Sequence, residues 1–373
     1  MKKIFYSMAG EGRGHASRAF TVIENLKHKY DIHVYAPDHA FDLLHPVYRK
    51  TDVKIKKIPG LLFHYNREKK IDYLKTFTGS MKFFMNSAGA LKHVYADFEK
   101  HNPDLVITDF ESLLPKAAEK YDTPYISINH QHFLTYYNLS CLPSELRNKA
   151  AMISPLLNLF HMNQLSTIIS SFYFPELKKV SGKNVHQVGV FLNNDILNAV
   201  PEDKGFILVY LRRFLSEPVL RSLETCGEKV RIYCSGNNED YKNIEFKKIS
   251  QKAFAEDLSK CSILVTTAGN QLVGEALYLG KKIIAIPEPN NFEQEINGFF
   301  LENSGGGRKM NHDSFNENTV SGFLRDRDSM NCSIPLHLLN GNNQVQNLID
   351  YYINEYGSET ERYDNNTDRR LIS

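Results

Sequence analysis

Cysteine is scarce in this chain. The five cysteines, at positions 141, 226, 234, 261 and 332, are scattered, with no Cys-x-x-Cys and no paired spacing. That pattern argues against a disulfide framework and against a thiolate metal site, and it favours reduced thiols in a cytosolic compartment. An excess of charge is missing as well. Lys plus Arg total 45 against 43 Asp plus Glu, so no global field would recruit nucleic acid or anionic lipid, and any basic surface must be local. No apolar run approaches the roughly 20 residues of a membrane span. Met1-Lys2-Lys3-Ile4-Phe5-Tyr6 is too short an apolar stretch for a signal peptide. The expectation is a cytoplasmic protein, soluble or peripheral on the inner face of the membrane.

At 373 residues, 42% of them hydrophobic, the chain exceeds the size at which one core usually keeps growing, so two domains are expected. Short aliphatic or aromatic runs at Lys3 to Met8, Ile32 to Ala36, Val53 to Ile58, Leu105 to Thr108 and Tyr125 to Ile128 alternate with helical patterns. A second such series starts at Phe206 to Leu211 and continues through Val230 to Cys234, Ile263 to Thr267 and Lys282 to Ile286. This alternation predicts α/β architecture: two Rossmann-like, doubly wound parallel sheets whose carboxyl ends face a central cleft. The boundaries follow from composition. Phe191 to Gly205 is sparse in apolar residues and reads as the linker, separating a first domain over 1–192 from a second over 193–342. A helical pattern occupies 343–357, and the almost entirely polar stretch 358–373 reads as disordered.

The most informative text is Thr266-Thr267-Ala268-Gly269-Asn270, running on through Gly274-Glu275-Ala276 to Pro287-Glu288-Pro289 and Glu293-Gln294. A buried strand feeds the start of a helix here, where unpaired backbone N–H groups and the positive dipole end suit a diphosphate. Gly269 allows close backbone approach. Glu275 falls a turn and a half into the helix, where a carboxylate can accept hydrogen bonds from two ribose hydroxyls.

The span from Thr266 to Gly307 resembles the donor-binding block of glycosyltransferases with the GT-B fold. It is most similar to the N-acetylglucosaminyltransferase that completes lipid II, and next to the UDP-dependent glycosyltransferases of small molecules. The resemblance implies that Thr267, Ala268, Gly269, Asn270 and Gln271 hold diphosphate, Glu275 the ribose, and Glu293 with Gln294 the transferred sugar. It implies that Phe254 lies where the base packs, and that the terminal helix crosses back to the first domain. Arg212 and Arg213 follow the first strand of the second half and suit phosphate oxygens, although the family more often has small residues there.

Ala9-Gly10-Glu11-Gly12-Arg13-Gly14-His15 follows the first strand. The glycines do not fit Gly-x-Gly-x-x-Gly, because the third position falls on His15, and a nicotinamide cofactor is a poor match. In the resembling enzymes this loop ends in Gly-His beneath the anomeric carbon. The resemblance therefore makes Gly14 a donor contact, His15 the general base and Asp109 its orienting partner. Capping of the helix by His15 and of the next one by Asp109 are the bland alternatives. An aromatic and basic region, Leu61 to Tyr65 and Tyr73 to Tyr95, reads either as an acceptor channel or as an ordinary amphipathic helix. Asn129-His130-Gln131-His132 is weak metal evidence without a third ligand.

The resulting expectation is an inverting, metal-independent transferase that moves a sugar from a nucleotide-diphosphate donor, a UDP-sugar, to a hydroxyl acceptor that is lipid-linked in one branch of the resemblance. No cofactor and no nucleic acid partner are expected, while peripheral membrane contact fits the lipid-linked case. Two rivals stay open: a UDP-sugar 2-epimerase of the same architecture, and a nucleotide-binding protein without catalysis.

Overall fold

The computed structural model describes residues 1–10, 13–60, 75, 78–79, 83, 87–158, 163–179, 184–211, 215–234 and 241–357. Its first sheet contains β1 (Lys3–Met8), β2 (Asp31–Pro37), β3 (Lys54–Ile58), β4 (Leu105–Asp109), β5 (Tyr125–Asn129), β6 (Ser166–Ser170) and β7 (Val185–Val188). The second contains β8 (Phe206–Tyr210), β9 (Lys229–Tyr233), β10 (Ile244–Lys247), β11 (Ile263–Thr266), β12 (Lys282–Ala285) and β13 (Gly307–Lys309). Every named pairing is parallel. Strand orders are β3-β2-β1-β4-β5-β6-β7 and β10-β9-β8-β11-β12-β13. Each order reverses once, between β1 and β4 in the first sheet and between β8 and β11 in the second. Loops leaving the strands on either side of such a reversal diverge to opposite faces and open a crevice.

Both sheets are covered on both faces, which explains why their strands read as continuous apolar runs. β4 and β11 are buried at every position. Two apolar clusters flank the first sheet and a third lies on one face of the second. The largest cluster is shared: Phe172, Tyr173 and Val190 from the first lobe pack with Val273, Ile296 and Leu301 from the second. Tyr173 stacks on Phe300 with ring centroids 4.1 Å apart. A methyl group at Gly274 would meet Val190 Cγ1 at 2.5 Å, so the glycine permits the close approach of the second lobe to the strand exit of the first.

The linker is more ordered than its composition predicts. Phe191 and Leu192 are fully buried, and the Asn342 side chain accepts from the Leu192 N–H at 3.0 Å and donates to its carbonyl at 2.7 Å. The terminal helix Asn342–Glu355 does cross back. Its Val345, Ile349, Tyr352 and Ile353 join the core that contains Ile4 and Val34, and Tyr30 donates to Asp350. Four strands, the edge strands β7, β10 and β13 and β6 beside β7, have no counterpart in the sequence reading. They are three to five residues long and carry serines in β6, His and Gln in β7, Glu and Lys in β10, and Gly, Arg and Lys in β13.

Candidate active site

β1 and β4 are neighbours in register, with Met8 opposite Asp109 and the Ala9 N–H donating to the Asp109 carbonyl at 2.8 Å. That register delivers the helix Arg13–Leu26 and the last residue of β4 to one point on the rim. There His15 Nδ1 lies 2.9 Å from Asp109 Oδ1, the pairing that the sequence motif implied. His15 keeps a little exposure toward the cleft, whereas Asp109 has none. Burial alone would push the Asp109 carboxyl up; the Arg18 guanidinium and then His15 overcome that and hold it below its ordinary value. Gly14 faces open space, with no heavy atom within 4 Å of an added methyl.

Across the cleft, β11 leads through Thr267 and Ala268 into the helix Asn270–Tyr278 with Gly269 as its N-cap. The backbone carries its left-handed residue at Ala268, with φ of 62°, rather than at the glycine. The Ala268 carbonyl accepts from Asn297 Nδ2 at 3.0 Å, which holds the turn. Gly269 has no heavy atom within 4 Å of an added methyl, so space lies open in front of the helix mouth. The first N–H groups of a helix have no partner inside it and remain as donors toward that space.

The side chains of two expected donor residues turn away from the mouth. Asn270 donates to the Ser170 carbonyl at 3.1 Å and accepts from the Phe172 N–H at 3.2 Å, tying the lobes together. Gln271 donates to the Phe191 carbonyl at 2.6 Å and to Glu275 Oε1 at 2.8 Å. With their side chains so engaged, these two residues leave only backbone groups to meet a ligand at the helix mouth. Glu275 is buried, and burial pushes its carboxyl up to about 7 against the opposing pull of the Gln271 hydrogen bond.

Glu293 and Gln294 begin the helix Phe292–Asn303. Gln294 is already engaged, since its Oε1 accepts from the Glu288 N–H at 2.7 Å and its own N–H donates to the capping Asn291. Burial raises the Glu293 carboxyl above its ordinary value, opposed by its electrostatic coupling to His15 and Arg18, so this second-lobe side chain belongs to the same charge group as the His15 pair. Phe254 lies one turn inside the helix Gln251–Lys260, whose capping position is taken by Ser250. Its ring meets Tyr233 and Tyr210 edge-on at 5.0 and 5.6 Å. Arg212 and Arg213 lie outside the described residues, as do Gly12 and most of the 61–86 aromatic stretch. The helix Ala88–His101 that ends that stretch packs Val94 and Phe98 into the first lobe.

Gly14, His15, Phe254, Thr267, Gly269, Glu275, Glu293 and Gln294 all line one cleft of about 1320 Å³. That exceeds the ~300–1,000 Å³ of a single small-molecule pocket and leaves room for two substrates. The cleft extends between the helices Asp38–Tyr48 and Ser144–Asn158, where Leu43, Val47, Leu146, Met152 and Ile153 make its wall apolar. Met152 is 77% exposed.

Sequence reasoning missed Arg18, although its spacing of three from His15 places both on one helix face. His130, weak metal evidence in the sequence, has a structural place. Burial pushes that imidazole down to about 3, and its ring nitrogens lie 3.0 Å from the Ser170 carbonyl oxygen and 3.1 Å from Asn297 Oδ1, so it is a strut between lobes. His132 turns instead to Asn129, with Nδ1 3.0 Å from Oδ1. Among the described residues no group of three or more His, Cys, Asp or Glu side chains is placed to hold a metal ion, and no helix is long and apolar enough to cross a membrane.

The chain is similar to known glycosyltransferases in sequence and in fold. The chain is 26% identical over 194 residues to the UDP-N-acetylglucosamine–N-acetylmuramyl-(pentapeptide) pyrophosphoryl-undecaprenol N-acetylglucosamine transferase of Prochlorococcus marinus, a match that spans 44% of this chain and 53% of that relative. Among solved structures, the kitacinnamycin glycosyltransferase superposes with a TM-score of 0.68 at 14% identity, covering 94% of this chain and 99% of that one. LpCGTa in complex with UDP gives 0.66 at 15% identity, covering 96% and 100%. Acinetobacter baumannii MurG gives 0.58 at 15% identity, covering 94% and 100%. These likenesses establish the GT-B fold. The sequence profile of glycosyl transferase family 1 matches residues 2–327, and the chain belongs to that family of glycosyltransferases.

Proposed function

We propose that the protein moves a sugar from a uridine diphosphate donor held by the second lobe to a hydroxyl acceptor held by the first, with inversion and without a metal ion. The observation that carries this reading is the 2.9 Å contact between His15 and Asp109 on the cleft wall opposite the open helix mouth at Gly269. An alcohol is a weak nucleophile near neutrality, and an imidazole whose Nδ1 proton is held by a carboxylate presents Nε2 as a base. The acceptor hydroxyl gives its proton to Nε2 as its oxygen bonds to the anomeric carbon. The bond from that carbon to the diphosphate breaks, and its electron pair leaves with the phosphate oxygen. The amides and dipole of the Asn270–Tyr278 helix stabilise the charge that develops there. Glu275 accepts from the ribose hydroxyls and Glu293 from the sugar. The UDP complex of LpCGTa and the UDP-N-acetylglucosamine transferase named above support the choice of uridine.

The apolar wall formed by Leu43, Val47, Leu146 and Met152 supports an acceptor whose hydroxyl is borne on an apolar body, of which a lipid-linked sugar is one form. A thermal-shift panel of nucleotides and nucleotide sugars tests the donor assignment. A ligand at about 100 times its dissociation constant adds about 2.7 kcal/mol of stability. A rise in melting point with UDP and UDP-sugars, absent in Glu275→Ala, is the expected result. No shift with any nucleotide overturns the proposal.

A further inference from the structure

The His15–Asp109 pair is part of a larger buried group at the ends of β1 and β4. Arg18 is 3% exposed and donates Nε–H to Asp109 Oδ2 at 2.8 Å and Nη2–H to Oδ1 at 2.8 Å. Its Nη2 also lies 3.0 Å from His15 Nδ1. Three atoms therefore form a triangle: Nη2, Oδ1 and Nδ1. The guanidinium gives only donors and the ionised carboxylate only accepts, so the one undecided proton is that of His15. If Nδ1 donates to Oδ1, Nε2 is bare and can act as a base. If Nδ1 accepts from Nη2, the proton sits on Nε2 and the ring cannot take another from a substrate.

Geometry favours the first arrangement. A planar fork that meets both carboxylate oxygens fixes the plane of the carboxylate, which a single ammonium cannot do. With Oδ2 spent on Nε, Oδ1 is aimed at Nδ1 at 2.9 Å, and a bare Nδ1 would set two lone pairs against each other at that distance. The fork also keeps a buried carboxylate from losing its charge, since its partner cation is in place before any substrate arrives.

We propose that Arg18 is a positioning residue for sugar transfer: by gripping both oxygens of Asp109 it makes His15 carry its proton on Nδ1 and present a bare Nε2 to the acceptor. The inference rests on the reading of His15 as the base, yet its first test needs no substrate. Protein labelled with 15N-histidine reports the tautomer of each neutral ring, and the His15 signals are assigned by their loss in His15→Ala. The wild type is expected to show the Nδ1–H form, Arg18→Met a mixture shifted toward Nε2–H, and Arg18→Lys an intermediate result. In turnover, Arg18→Met should lose about tenfold or more in kcat while the donor KM stays within about twofold, with partial recovery in Arg18→Lys.

A wild-type spectrum with the proton on Nε2 overturns the inference, as does an Arg18→Met protein with the wild-type tautomer and wild-type kcat. Should Arg18→Met fail to fold, the wild-type spectrum and Arg18→Lys still decide. Absence of transfer from every donor would sink the functional reading and leave the tautomer result standing, so the two failures are distinguishable.

Discussion

The helices Arg13–Leu26 and Asn270–Tyr278 each follow a central strand of their own sheet and each aim an N-terminus at the cleft, but they are equipped differently. The first presents side chains: His15 backed by Asp109 and Arg18 in a buried charge group. The second presents backbone, because Asn270 and Gln271 spend their side chains on Ser170, Phe172, Phe191 and Glu275. Moving a proton needs a titratable side chain with a fixed tautomer. Holding a diphosphate needs only amides, a dipole and an absence of bulk. On the proposed function, one topological device, repeated, serves both tasks through what is placed on its first turn.

The contrast breaks first at His15. His15→Ala should lower turnover by about 10²–10⁴-fold while donor affinity stays within a few fold, as read by steady-state kinetics beside UDP binding. Unchanged turnover would remove the base from the first helix and with it the division of labour.

Glu275 sharpens the other side. Its carboxyl is pushed from the ordinary value of 4.5 up to about 7 by burial, so the folded state binds a proton more tightly than the unfolded one. Stability from this group is complete below the unfolded value and is lost as pH rises through the folded one. By linkage the loss between those limits is about 3 kcal/mol. Glu275→Gln should flatten the fall in stability over that window in urea denaturation carried out across the pH range. An identical pH slope in the variant would show that the carboxyl is solvated.

Two glycines on the same structure supply the smallest effects. Gly274→Ala forces a methyl to 2.5 Å from Val190 Cγ1 and should cost about 1–3 kcal/mol. Gly269→Ala meets nothing within 4 Å and should stay within about 0.5 kcal/mol of wild type. Equal melting points for the two variants would contradict the close seating of the lobes at Val190.

Much of this was legible in the sequence, for identifiable reasons. The central strands β1, β4, β8 and β11 are covered on both faces and so are mostly apolar, and the loops after β1 and β11 carry glycines that mark close backbone approach. His15 and Asp109 could be paired because a motif fixed their places at the ends of adjacent strands. The outer strands β13 and β6 were hidden, because β13 is Gly307-Arg308-Lys309 and β6, next to the edge, begins and ends in serine. Arg18 was hidden for another reason. Buried arginines look like surface arginines in a sequence until the carboxylate they meet, 91 residues away, is known. The same holds for Asn270, whose side chain looked like a phosphate ligand and is a strut to the end of β6, 100 residues earlier.

Calorimetric titration of UDP into wild type and Gly269→Val tests the central claim most directly, since a Cβ there meets no heavy atom within 4 Å and the branched side chain takes up space before the helix mouth. The account predicts saturable binding to the wild type, and loss of that binding in a variant whose melting point is preserved. Equal binding by both proteins, or none by the wild type, would contradict it.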